Sequence, residues 1–177
     1  MKYDVDYIIS YILEYDVGIP KVIIFGYIVC TCVLVVVLSS IKANTSQFVR
    51  IVSLSFLLFY VAFVFCLTVL FRDAFTTIRI RLHPFWSYGI LDNRLIAEII
   101  LNVLLFIPIG FLACGCLRKK SIIKIVGIGC SLSLTIEIIQ IAARRGVFNI
   151  DDVIHNTLGC VFGYGLFKLS NSILKIC

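Results

Sequence analysis

Residues 96–117 read IAEIILNVLLFIPIGFLACGCL, and apart from Glu98 and Asn102 every position is apolar, small or proline. Crossing the hydrocarbon of a bilayer takes about 20 such residues in a helix. Four further stretches have the same character: 19–41, 51–71, 122–143 and 153–169. The last is the shortest and would stand with little tilt. The pattern predicts an all-α fold, a polytopic membrane helix bundle of about five transmembrane helices.

Composition agrees. The chain has 177 residues, 61% hydrophobic and 15% charged, and its mean hydropathy is +1.08. A soluble domain carries about 25% charged residues. The net charge of +6 could suggest nucleic acid, but the basic residues lie in short loops between apolar runs and read as topology signals. No Pro/Gly/Ser-rich linker or repeat interrupts the chain, so residues 1–177 read as a single membrane domain. Of eight cysteines, seven lie in apolar runs. The pairs Cys30/Cys32 and Cys114/Cys116 point about 200° apart on a helix and form no metal claw. They read as small apolar residues.

Ahead of the first apolar run, Tyr3, Tyr7, Tyr11 and Tyr15 recur every fourth residue until Gly18 and Pro20. This stripe predicts an interfacial helix over 1–18, lying on the membrane or packed on the protein's own loops. The acidic N-terminus argues against a cleavable signal peptide.

Five spans would set the termini on opposite sides. Lys and Arg divide evenly between the sides, whereas all ten Asp and Glu fall on or near the side holding residues 1–20 and the loops 72–95 and 144–152. That asymmetry places the N-terminus outside and the C-terminus in the cytoplasm.

Polar side chains inside membrane helices are costly and face a bundle interior or a cavity. Glu98 and Asn102 share one helix face, just before Pro108, which removes a backbone donor and predicts a kink. Ser133, Glu137, Gln140 and Arg144 follow the spacing of one face in the next run, with Glu137 roughly 10 Å below its outer end at 1.5 Å per residue. After a turn through Arg145 and Gly146, Asn149 reads as a helix N-cap, with Asp151 and Asp152 at the positive end of the helix dipole. Asn156 lies one turn beyond Asp152, and Gly159 with Gly163 forms G-x-x-x-G, a spacing that admits a second helix. These groups either bond one another and lock the helices or build a ligand site. In the loop before residue 96, Ile78-Arg79-Ile80-Arg81-Leu82 alternates, so an extended backbone sets Arg79 and Arg81 on one side among Phe85, Trp86 and Tyr88. Guanidinium groups among interfacial aromatics suit either a specific phosphate or anchoring to ordinary lipid.

In order along the chain these residues resemble the VanZ-like family, membrane proteins of the teicoplanin-resistance type. Its N-L-x-P-F loop reads Arg81-Leu82-His83-Pro84-Phe85 here. Its N-x-x-x-F-x-P-x-G helix reads Asn102, Phe106, Pro108 and Gly110, and its E-x-x-Q helix reads Glu137 and Gln140. Its D-x-x-D-x-x-x-N-T-x-G helix start reads Asn149, Asp152, Asn156, Thr157 and Gly159. The resemblance covers about residues 50–169. Arg81 stands where the family has asparagine, Asn149 where it has its first aspartate, and Ile78 where an arginine is usual.

The resemblance implies a bacterial cell-envelope protein associated with reduced glycopeptide susceptibility. The residues suggest an amphiphile site at the outer leaflet, for a lipid-linked cell-wall precursor or a lipoglycopeptide. Its expected residues are Arg79, Arg81 and Pro84 for the head group, then Asn102, Glu137, Gln140, Arg145, Asn149, Asp151, Asp152 and Asn156, with a lipid tail beside Pro108. One alternative is a membrane-embedded enzyme using Glu137 and Asp152 as acid and base. Another is a partner-binding scaffold, with an oligomer formed through Gly159 and Gly163. No nucleophile motif or nucleotide loop is present. No cofactor or metal is expected, although Glu137, Asp152 and His155 are the one set whose spacing would allow an ion.

Overall fold

The computed structural model describes residues 46–70, 79–90, 93–117 and 120–176. Helices dominate it: α1 (Ser46–Phe65), α2 (Asn93–Cys116), α3 (Ile122–Ala142) and α4 (Ile150–Ile176). A π-helical turn, Cys66–Leu70, prolongs α1, and a 3-10 turn, Trp86–Ile90, precedes α2. The strands β1 (Ile80–Arg81) and β2 (Phe148–Asn149) form a short parallel ladder, Ile80 opposite Phe148 and Arg81 opposite Asn149.

Three helices are long and apolar enough to cross a membrane: Val49–Leu70, Asn93–Cys116 and Ile122–Ala142. They hold their backbone bonds internally, as hydrocarbon requires. The expectation of about five spans is therefore corrected to three among the described residues. The expected span 19–41 and the interfacial helix over 1–18 lie outside the described residues. The expected span 153–169 falls within α4, which is long but not apolar enough. Its first turns carry Asp151, Asp152, His155 and Asn156, and its later turns Lys168, Ser170 and Asn171. An apolar run read in one dimension missed that this helix depends on polar partners and close packing.

Helix contacts set the directions. Arg50 near the start of α1 donates to the Cys116 carbonyl at the end of α2 (3.1 Å), a cation on a helix C-terminus. Tyr60 donates to the Leu105 carbonyl at 2.6 Å, so α1 and α2 run antiparallel. The α2–α4 interface is the most extensive and is parallel. A Cβ on Gly159 would overlap the Val103 carbonyl, one on Gly163 the Ile107 carbonyl, and one on Gly110 the Cys160 carbonyl. Lipid is as apolar as any side chain here, so helices gain by close approach rather than by leaving water. These glycines supply it. The G-x-x-x-G pair expected to serve an oligomer is thus filled by α2 of the same chain.

Helix α3 runs antiparallel to α4 and is inside-out. Its buried stripe is Ile125, Gly129, Ser133, Ile136, Glu137 and Gln140, while Ile123 and Ile138 lie exposed. Its C-terminus closes through Arg144 N–H to the Ile141 carbonyl (2.9 Å) and Arg145 N–H to the Gln140 carbonyl (2.8 Å). That closure needs a left-handed residue, and Arg144 adopts φ 54° where glycine is usual. The turn sends the chain back into β2 beside β1. The loop 79–90, β2 and the N-terminus of α4 thereby meet at one end, while Arg50, Cys116 and Lys120 lie at the other.

Candidate functional site at the loop end

Asn149 is the hub. As expected it caps α4, its Oδ1 accepting the Asp151 N–H at 3.2 Å. The same oxygen accepts the Trp86 indole N–H at 2.8 Å, and its amide donates to Asp152 Oδ1 at 3.0 Å. Its backbone N–H donates to Glu137 Oε2 at 2.9 Å. One side chain and its amide thus tie α3, α4 and the loop together. One partner of Glu137 is thus a backbone N–H, a donor supplied by the chain's return into β2.

The loop is strapped down at further points. Asp151, 1% exposed, accepts the Phe85 N–H at 2.5 Å. Phe85 has φ 62°, a left-handed geometry that a bulky residue rarely adopts and that the surrounding bonds must hold. The Tyr88 hydroxyl lies 2.9 Å from His155 Nε2. Burial lowers the pKa of His155, which lies outside the three spans, and nearby Asp151 works against that shift. On the outer side of the loop, the Arg81 guanidinium stacks over the Trp86 ring, 3.9 Å from its centroid.

Two other expected residues close the end of α1. Gln140 donates to the Thr68 carbonyl at 2.8 Å, and Arg145 donates to the Leu70 carbonyl and to that of Val69 (3.5 Å). Deeper, Asn156 donates to Ser133 Oγ at 2.8 Å, within the buried α3–α4 seam.

The structure therefore gathers Glu137, Asn149, Asp151 and Asp152 into one network, joined through Trp86 to Arg81. Arg79 is exposed beside it, and its carbonyl accepts the Phe148 N–H at 3.1 Å. Pro84 is exposed in the turn. Asn102 is half-buried on α2, and no bond brings it into the network among the described residues. His155 turns its Nε2 to Tyr88, and among the described residues no group of three His, Cys, Asp or Glu is placed to hold a metal ion. Sequence reasoning overlooked the bonding roles of Trp86, Tyr88 and Thr68. Only the indole carried a signal, as an interfacial aromatic with a donor that seeks a partner when buried.

Chemically, the carboxylates accept protein donors beneath the loop, while Arg79 and Arg81, at the start of β1 and within it, are exposed. No solved structure matches the chain. Over 74 residues it is 40% identical to Protein VanZ of Enterococcus faecium, an alignment covering 42% of this chain and 46% of that relative, so the chain spans less than half of its length. The family model VanZ/LLP1 matches residues 24–171. With that match across most of its length, this chain belongs to the VanZ/LLP1 family.

Proposed function

We propose that the loop end of this membrane protein binds the anionic head group of an amphiphile. The supporting observation is a division of charge. Glu137, Asp151 and Asp152 accept bonds from protein donors beneath the loop, whereas Arg79 and Arg81 are exposed on the extended segment above it. The bonded acids there hold the scaffold in shape, and exposed guanidinium groups beside Phe85, Trp86 and Tyr88 meet the ligand. In a cell-envelope protein the ligand is a lipid-linked cell-wall precursor or a lipoglycopeptide of the teicoplanin type. The site then lies at the outer leaflet, with the C-terminus in the cytoplasm.

Replacing Arg79 and Arg81 together with Gln should weaken binding of a short-chain phosphatidic acid more than that of the matching phosphatidylcholine. Equal losses would reduce the loop to a membrane anchor. Lipids copurified with the protein supply a second test. A retained lipid that stays unchanged supports binding, whereas one chemically altered over time, and unaltered with Glu137→Gln, supports catalysis by Glu137 and Asp152. Orientation is checked by impermeant thiol labelling of single cysteines in a cysteine-free background. Labelling at Ser121 but not at Val147 would invert the assignment.

A further inference from the structure

We infer that Arg81 is a preorganised receptor for two coplanar oxygens of an oxyanion, with Trp86 as its positioning residue. The inference rests on the head-group reading above and separates the two arginines that reading treats alike.

Stacking at 3.9 Å from the ring centroid occupies the flat face of the Arg81 guanidinium. The N–H donors radiate in the guanidinium plane, so stacking leaves them free to form a paired, fork-like contact with a carboxylate or phosphate. A long side chain at an exposed site normally loses rotamer freedom on binding. Here part of that ordering is already done. The ring itself does not swing, because its N–H is bonded to Asn149 Oδ1 at 2.8 Å, and Asn149 caps α4 at 3.2 Å through the Asp151 N–H. The chain of support runs from a buried helix start through an indole to an exposed guanidinium. Register adds to it, since Arg81 pairs with Asn149 across the β1–β2 ladder and so starts beside the residue that anchors its platform. Arg79 sits just before β1 and is exposed, and among the described residues no aromatic ring lies under it, so there it supplies charge without such a platform.

The two arginines should then respond differently to lysine, which keeps the charge but has neither a planar face nor a fork. Binding is measured for dihexanoyl phosphatidic acid, dihexanoyl phosphatidylcholine and inorganic phosphate, with the full chain in detergent micelles. Arg81→Lys should lower affinity for phosphatidic acid about tenfold, and Arg79→Lys only about twofold. Trp86→Leu should match the Arg81→Lys loss, while Trp86→Phe, which keeps a ring but not the donor, should lose about threefold. A comparable loss for inorganic phosphate assigns the site to the oxyanion alone. Loss confined to phosphatidic acid assigns it to the oxyanion presented on a lipid. Equal effects of lysine at both arginines, or normal binding by Trp86→Leu, would overturn the inference. Normal binding by the double Arg→Gln variant would instead overturn the head-group reading itself. Partial retention by Trp86→Phe guards against mere misfolding, since a collapsed loop would not grade its affinity with the ring.

Discussion

Glu137 carries the most consequential side chain of the buried network, and substituting it separates scaffold from site. It is 4% exposed, and its Oε2 accepts the Asn149 N–H at 2.9 Å. Glu137→Leu fills the space but leaves that N–H without an acceptor, which costs about 1–3 kcal/mol for a buried donor. Glu137→Gln keeps an acceptor oxygen and gives up its charge. A bond to a charged group contributes about 1.5–3 kcal/mol and a neutral one about 0.5–1.5, so the Gln variant should lose about 1 kcal/mol. The expected order of stability is wild type, then Gln, then Leu. Reversible unfolding by SDS in mixed micelles, followed by Trp86 fluorescence, would measure it. The indole reports on Asn149 through its own 2.8 Å bond, so Leu should shift both the midpoint and the folded-state emission. Gln as damaging as Leu, or Leu as stable as wild type, would refute this account of the hub. A Gln variant that is destabilised yet binds normally once folded would match the scaffold role, whereas one that folds as well as wild type and fails to bind would place Glu137 at the ligand instead.

Three other outcomes follow from the geometry. Gly163→Val should cost about 1–3 kcal/mol through overlap with the Ile107 carbonyl, whereas Gly165→Ala, where a Cβ meets nothing within 4 Å, should be neutral or gain up to about 1 kcal/mol of helix propensity; equal melting temperatures would refute the α2–α4 contact. Arg144→Gly should stabilise by about 0.5–1 kcal/mol, because a left-handed L-residue costs about 1–2 kcal/mol and glycine's extra unfolded-state entropy returns part of it; a loss in thermal unfolding would count against that strain. Burial lowers the folded pKa of His155 below its ordinary 6.5, so the unfolded chain binds more protons just under that pH and stability should fall as pH drops from 6.5. His155→Gln should flatten that slope in melting curves taken against pH, and an unchanged slope would assign it to another group.

Membrane residence was legible from local composition, because burial of about 20 consecutive apolar residues in lipid is decided by the residues of the run alone. The Asn149 cap was legible for the same reason, being a contact between a residue and its neighbour two positions on. The inward face of α3 could also be read from helical spacing for Ser133, Glu137 and Gln140, whereas Arg144, expected on the same face, lies past the helix end in the exposed turn. The number of spans was not legible. Residues 153–169 look apolar enough in one dimension, yet α4 holds its polar turns against α3 and the loop, and Gly159 and Gly163 against α2. Partners across long stretches of chain were equally out of reach. Glu137 meets a backbone N–H, a donor that every non-proline residue carries and that no motif marks. Trp86 reaches Asn149, 63 positions away, only because the turn through Arg144 returns the chain to β2 beside β1. Which polar residues belong to a helix face is a matter of periodicity, and that belongs to the sequence. Which of them meet, and whether they hold the scaffold or face a ligand, depends on helix directions and close approach, and the tertiary structure alone decides those.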